Sequence, residues 1–200
     1  MSRLLVSSLF ALLLCALPVQ ARSFSTVVID AGHGAHDFGC QSSTMFEKHF
    51  ALDISRRLER FLRQNGIRTV MTRSTDRFIP LDVRAGVGNR AGNAVFVSVH
   101  VNDCGRPGPS GVETFYHNGE GAKLAGYVQR QIMKNTNNGG NRGVKSARFK
   151  VLRSSSKPAI LVETGFISNS RDRSRLRDPA YREAMAQSIG LGLLEYRRRW

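Results

Sequence analysis

From residue 26 onward, short apolar runs alternate with longer segments whose apolar residues recur at helical spacing. Six apolar runs predict strands: residues 26–30, 67–73, 94–102, 111–118, 149–153 and 159–166. The helical spacing predicts helices over residues 47–66, 82–92, 122–135 and 179–197, and residues 136–143 read as a loop. Apolar strands that alternate with helices are typical of parallel sheets buried on both faces. We therefore predict an α/β fold: a single domain whose twisted, mainly parallel sheet carries helices on both faces.

The first residues of the chain differ from this pattern. Arg3 precedes an apolar stretch over residues 4–19, and small residues close the segment at Ala21. This order predicts a cleaved secretory signal peptide over residues 1–21, followed by one exported domain over residues 22–200 in the periplasm or cell envelope. The alternative is a membrane anchor, which needs a longer and less interrupted apolar run.

The charge of the chain narrows the choice of partners. Lysine and arginine number 30 against 15 acidic residues, a formal net charge of +15. Such an excess favours a polyanionic partner, for example nucleic acid or an anionic envelope surface. Because export separates the protein from nucleic acid, we expect an envelope partner and no nucleic acid.

Candidate chemistry lies where the predicted strands end. The first strand ends at Asp30 and continues into a histidine, His33, between two glycines. The strand over residues 94–102 ends with His100 and Asn102. Parallel sheets bind ligands beyond the carboxyl ends of their strands, so these positions favour a functional role. For each histidine, a turn or core residue without special chemistry is an equal alternative.

Two glutamates also stand in apolar surroundings. Glu163 follows four apolar residues in the last strand, where a carboxylate is costly unless it pairs, binds metal or stays protonated. Glu47 shares a helical face with Ala51 and Ile54. By itself, Glu47 fits better in a capping box that begins at Thr44, in which its carboxylate would reach back to the helix end.

Taken together, these residues match a known type of metal site. Two histidines and one glutamate are the protein ligands of a catalytic zinc, and a second glutamate is what such a site needs as general base. No H-E-x-x-H motif is present, so the ligands would come from separate elements. Of the other histidines of the predicted domain, His36 and His117 are expected to be solvated, and His49 is expected on a different helix face from Glu47.

Motifs in a fixed order along the chain carry a family resemblance. "VVIDAGHGAHDFG", "FEKHFALDISRRLERFL", "VFVSVHVN", "SGVETFY", "RGVKSARFKVLR" and "PAILVETGFISN" resemble the zinc-dependent N-acetylmuramoyl-L-alanine amidases, the amidase type 3 family. The resemblance implies that His33, Glu47 and His100 bind one Zn²⁺ and that Glu163 is catalytic. It further implies that the substrate is peptidoglycan, cleaved at the amide between N-acetylmuramic acid and L-alanine.

Further expectations concern residues around such a site. Asp30 either orients a metal ligand or caps a turn, and either Asn102 or a backbone amide helps to stabilise the oxyanion. A disulfide between Cys40 and Cys104 would link the two histidine-bearing loops. Some family members carry a long insertion, with a helix that plugs the zinc site, before the "RGVK" segment. Here that segment is short, so we predict an open site without an obligatory activator protein, in a monomer.

Two other functions stay open at this stage. A peptidase acting on stem peptides could use the same zinc site. A catalytically inactive module could use the basic surface to bind the wall, although the four candidate residues argue against it.

Overall fold

The computed structural model describes residues 23–103 and 105–199. The predicted signal peptide and Cys104 lie outside the described residues, so both the cleavage and the disulfide stay predictions. None of the described helices is long and apolar enough to cross a membrane.

Six strands form the main sheet, and two very short strands form a separate hairpin. The strands are β1 (Thr26–Ala31), β2 (Gln41–Ser42), β3 (Met45–Phe46), β4 (Arg68–Met71), β5 (Ala94–Asn102), β6 (Val112–Tyr116), β7 (Asn141–Ser146) and β8 (Ala159–Phe166). The main sheet has the order β4-β1-β5-β8-β6-β7. Its neighbours pair in parallel except β6 and β8, which are antiparallel. The carboxyl ends of β1, β5 and β8 therefore share one edge with the start of β6.

Helices cover both faces of this sheet, which confirms the predicted fold class. They are α1 (Glu47–Gln64), α2 (Leu81–Arg90), α3 (Gly119–Asn135), α4 (Lys150–Arg153), α5 (Ser170–Arg177) and α6 (Pro179–Arg199). Helices α1, α3 and α6 pack together over the larger core, and α2 packs against α4 over the smaller one. Alternate residues of β5 point to opposite faces, so Val97 lies in the larger core and Phe96 in the smaller.

Helix α1 follows directly from its sequence. Ala51, Ile54, Leu58 and Leu62 keep the helical spacing of a buried face, and all four are fully buried. The helix ends at Asn65, and Gly66 follows with a positive φ of 73°, a conformation that glycine adopts without steric cost. Glu47 lies on the same face and is buried as well.

Some elements differ from the sequence prediction. The strand predicted for residues 149–153 is wrong: Lys150–Arg153 forms the short helix α4, because the five-residue apolar run fits a helical turn as well as a strand. The loop predicted over residues 136–143 is wrong at its end, because β7 begins at Asn141 and pairs along β6. Helix α5 and the β2–β3 hairpin were not predicted.

Candidate metal centre

His33 stands in a tight loop that follows β1. Its backbone has a positive φ of 59°, which is uncommon for any residue other than glycine. At the preceding Gly32, an added Cβ would lie 2.5 Å from Cε1 of His100. Glycine is therefore needed at position 32, because the ring of His100 packs directly against the backbone there.

Three donor atoms from three separate elements meet at this edge of the sheet. Nε2 of His33 lies 3.1 Å from Oε1 of Glu47, and Nδ1 of His100 lies 2.7 Å from the same oxygen. One ligand atom from each residue lies within 4.8 Å of the other two. The two imidazole rings are nearly perpendicular, with centroids 5.0 Å apart. The structure thus brings together three residues that are far apart in the chain.

The buried carboxylate of Glu47 is held by backbone as well as by histidine. Its Oε2 accepts a hydrogen bond from Cys40 N at 2.9 Å, and its Oε1 accepts one from Val101 N at 3.0 Å. Burial raises the pKa of Glu47, but hydrogen bonds and charges from His100 and His33 outweigh it and hold that pKa well below its usual range. The capping-box alternative is wrong, because the N-cap of α1 is Phe46 and has no side-chain cap.

Asp37 orients His33, and the sequence analysis missed it. The Nδ1–H of His33 donates to Oδ1 of Asp37 at 2.8 Å, which leaves Nε2 facing Glu47 and His100. A carboxylate on the second nitrogen of a ligand histidine fixes its tautomer and raises its basicity. The signal in the sequence is weak, since an aspartate in a glycine-rich loop is equally typical of a turn.

Glu163 belongs to β8 and lies beside the three donor residues. It pairs with His100 in the β5–β8 register and is 8% exposed. Among the described residues, its Oε2 finds no hydrogen-bond partner. Burial raises the pKa of Glu163 well above its usual value, and the negative charges of Glu47 and Glu113 add to this rise. A buried carboxyl with a free oxygen beside a donor cluster is suited to proton transfer.

Asp30 serves the site indirectly. Its carboxylate accepts hydrogen bonds from Thr72, Ser98 and Nη1 of Arg84, at 2.7, 2.7 and 3.0 Å. Arg84 in turn donates from Nη2 to the carbonyl oxygen of His33 at 2.7 Å. Within residues 23–103 and 105–199, Asp30 is thus linked to His33 through Arg84, and its role in orienting that residue stays a prediction.

The remaining predicted residues lie near the donors. Asn102 lines the same cavity and donates from Nδ2 to Oε1 of Glu113 at 2.7 Å. Cys40 is half-buried beside Glu47. The other described histidines, His36, His49 and His117, are exposed, which agrees with the predicted solvation of His36 and His117.

A cavity of about 440 Å³ opens onto the donor cluster and Glu163. A larger hollow of about 910 Å³ lies at the opposite ends of β1 and β4, but its lining residues include no histidine, cysteine or acid. The chemistry of the smaller cavity fits a divalent metal ion. Two imidazole nitrogens and one carboxylate oxygen form a donor set that zinc accepts while keeping one further position for water or substrate.

The fold is an α/β domain. At the edge of its sheet where the parallel strands end, a His-Glu-His cluster lies beside a buried carboxyl group. This combination defines a protein with a candidate hydrolytic metal centre. Residues 27–195 match the family described as N-acetylmuramoyl-L-alanine amidase, and the chain belongs to this family. The resemblance stated from the motifs is thereby confirmed.

Similar proteins agree with this assignment. The solved N-acetylmuramoyl-L-alanine amidase AmiC2 of Nostoc punctiforme superposes with a TM-score of 0.84 at 40% identity, covering 87% of this chain and 97% of that one. N-acetylmuramoyl-L-alanine amidase LytC of Bacillus subtilis is 36% identical over 86% of this chain. The probable cell wall amidase LytH of Staphylococcus epidermidis is 34% identical over 86% of this chain. The chain spans 36% of LytC and 58% of LytH.

Proposed function

We propose that this protein hydrolyses the amide bond between N-acetylmuramic acid and L-alanine in peptidoglycan and thereby releases stem peptides. The proposal is supported by family membership over residues 27–195 and by relatives named as amidases of this bond. The observation that carries it is the free oxygen of Glu163 beside three converging donor atoms.

We propose that His33, Glu47 and His100 hold one zinc ion. When bound, such an ion supplies Lewis acidity that polarises a carbonyl and makes water a nucleophile near neutral pH. The chain contributes the geometry: Asp37 fixes the tautomer of His33, while the backbone amides of Cys40 and Val101 fix the carboxylate of Glu47.

Glu163 is the proposed general base and acid. Glu163 lines the cavity and its Oε2 is without a partner among the described residues, so the carboxyl is proposed to take a proton from the attacking water and deliver it to the leaving amine of alanine. Burial raises the pKa of Glu163, which suits the protonated carboxyl to donate its proton to the leaving amine. Asn102 is proposed as a substrate contact at the rim, held in place by Glu113.

The location and assembly of the protein are proposed from the same evidence. Relatives named as cell wall amidases and the predicted signal peptide support an envelope location. Helix α3, in the segment where some family members carry a plug, packs against α6 on the sheet face opposite to α2 and α4. This placement supports an open site that needs no activator protein, and we propose that the protein works as a monomer.

Replacement of one residue tests this function. In Glu163→Gln, hydrolysis of purified peptidoglycan should fall by roughly 10²- to 10⁴-fold, because proton transfer is lost. The variant should keep its zinc content and its circular dichroism spectrum. Glu120→Gln, on an exposed turn of α3, is the matched control and should keep full activity.

Mass spectrometry of the digest distinguishes the alternatives. An amidase releases intact stem peptides that begin with alanine, whereas a peptidase releases fragments cut within the stem. A wall-binding module releases neither. Full activity in Glu163→Gln would contradict the proposed mechanism, and fragments cut only within the stem would contradict the proposed bond.

A further inference from the structure

The cavity beside Glu163 has a second wall that the proposed mechanism does not use. Helices α2 and α4 supply it through Leu81, Phe149, Lys150 and Val151. Leu81 is 53% exposed and Phe149 is 40% exposed, although both are large and apolar. Apolar side chains left open at the rim of a cavity are typical of surfaces that a ligand covers.

Lys150 supplies a partly exposed cation to this wall. Its Nζ lies 2.8 Å from Oδ1 of Asp82, so the pair bridges the starts of α4 and α2 at the rim of the cavity. Asp82 is largely exposed and Lys150 is more than one-third exposed. Exposed ion pairs of this kind contribute little to stability. Lys150 can therefore exchange Asp82 for another carboxylate at small cost.

The positive charge continues beyond the cavity toward β6 and β7. Phe149 makes an edge contact with Phe115, with ring centroids 5.1 Å apart, and Lys145 lies over the same ring. Lys145 and Arg142 both pair with the buried carboxylate of Glu113. This side of the cavity therefore carries two cations, Lys145 and Arg142, for the one carboxylate of Glu113, and it lies next to the Lys150–Asp82 pair.

The two halves of the proposed substrate differ in charge. The carboxyl group of muramic acid is consumed in the amide, so the glycan side is neutral there. The stem peptide keeps its C-terminal carboxylate and the carboxylates of any acidic residue. A wall that is both apolar and cationic therefore complements the peptide side and not the glycan side.

We propose that Leu81, Phe149 and Lys150 form the subsite for the stem peptide, in which Lys150 leaves Asp82 to bind a peptide carboxylate. This inference rests on the proposed amidase function and assigns the peptide's direction across the site. Leu81 and Phe149 contact the apolar part of the peptide next to the cleaved bond.

The experiment compares two forms of one substrate. Purified peptidoglycan is used either with its native carboxylates or after carbodiimide-mediated amidation with ammonia, and hydrolysis is measured as new alanine amino termini. Lys150→Gln should lower kcat/KM on native peptidoglycan roughly fivefold, as expected for a lost charge-assisted contact. Lys123→Gln removes an equally charged lysine from an exposed pair with Glu120 on α3 and should have no effect.

Amidated peptidoglycan and the Asp82→Asn variant distinguish binding of a peptide carboxylate by Lys150 from a purely structural role of the Lys150–Asp82 pair. On amidated peptidoglycan, wild type and Lys150→Gln should have equal kcat/KM. Asp82→Asn should raise kcat/KM on native peptidoglycan, because it removes the competing carboxylate, and Lys150→Arg should retain most activity. Equal losses for Lys150→Gln on both substrates, or a loss for Asp82→Asn, would overturn the subsite and reduce the pair to a structural bridge. Wild type that releases no alanine termini would overturn the amidase function itself, and the subsite with it.

Discussion

Single residues around His33 show why the candidate metal ligands can meet at all. At Gly32, an added Cβ would lie 2.5 Å from Cε1 and 2.7 Å from Nδ1 of His100. Nδ1 is the atom that faces Glu47. Any side chain at position 32 would therefore displace a donor atom of the cluster.

This close contact predicts the effect of one methyl group. Gly32→Ala should weaken zinc binding by roughly tenfold or more, because His100 must move away from the other donors. Gly92→Ala is the matched control, since no atom lies within 4 Å of an added Cβ there. Competition with a chromogenic chelator measures both affinities. Equal affinities in the two variants would show that the backbone at Gly32 does not position His100.

The residues of this cluster could be predicted from the sequence, whereas the residue that hydrogen-bonds His33 and orients it could not. His33, Glu47, His100 and Glu163 stand out because each is a polar residue in an apolar pattern near a strand or helix end. Asp37 carries no such signal, since its contact with His33 depends on the loop conformation.

At the scale of elements, two buried arginines hold the loop that carries His33. Arg73, just after β4, donates to the carbonyl oxygens of Ala31 and Gly32 at 2.9 and 2.6 Å. Arg84, from α2, donates to those of Ala31 and His33 at 2.6 and 2.7 Å. Both side chains are almost completely buried. Helix α2 thus fixes a loop that it does not adjoin in sequence.

The hydrogen bonds from Arg84 to this loop predict a large loss of stability when the arginine side chain is shortened. Arg84→Met should lower the free energy of unfolding by about 3–5 kcal/mol, because it leaves the carboxylate of Asp30 buried without its cation. Arg90→Met, at an exposed position of the same helix, should change it by about 0.5 kcal/mol or less. Urea denaturation of the metal-free proteins gives both values. Similar values for the two variants would exclude Arg84 as an anchor of the loop.

Long elements were predictable because many residues share one period, and short ones were not. Helix α1 has four fully buried apolar residues in register, whereas the five residues 149–153 fit a strand or a helical turn equally well. Helix α5 is rich in arginine and buries only Asp172 and Leu176. Its start depends on Asn169, which caps the helix, and such a cap alone does not predict a helix.

At the scale of the whole molecule, the sheet topology brings residues that are far apart in the chain together in one site. The order β1-β5-β8 places the ends of three parallel strands side by side, and this much follows from the alternating pattern. The antiparallel pairing of β6 with β8 does not follow from it, because a hydrophobic run carries no direction. That pairing brings Glu113 opposite Glu163 and the cationic strand β7 to the same side of the cavity.

The proposed function depends on one zinc ion that His33, Glu47 and His100 hold next to Glu163. Anomalous diffraction at the zinc edge, from crystals of the zinc-loaded protein, tests it most directly. We expect a single strong peak in contact with Nε2 of His33, Nδ1 of His100 and the carboxylate of Glu47. A peak elsewhere in the protein, or zinc-loaded crystals with no peak at these three residues, would contradict it.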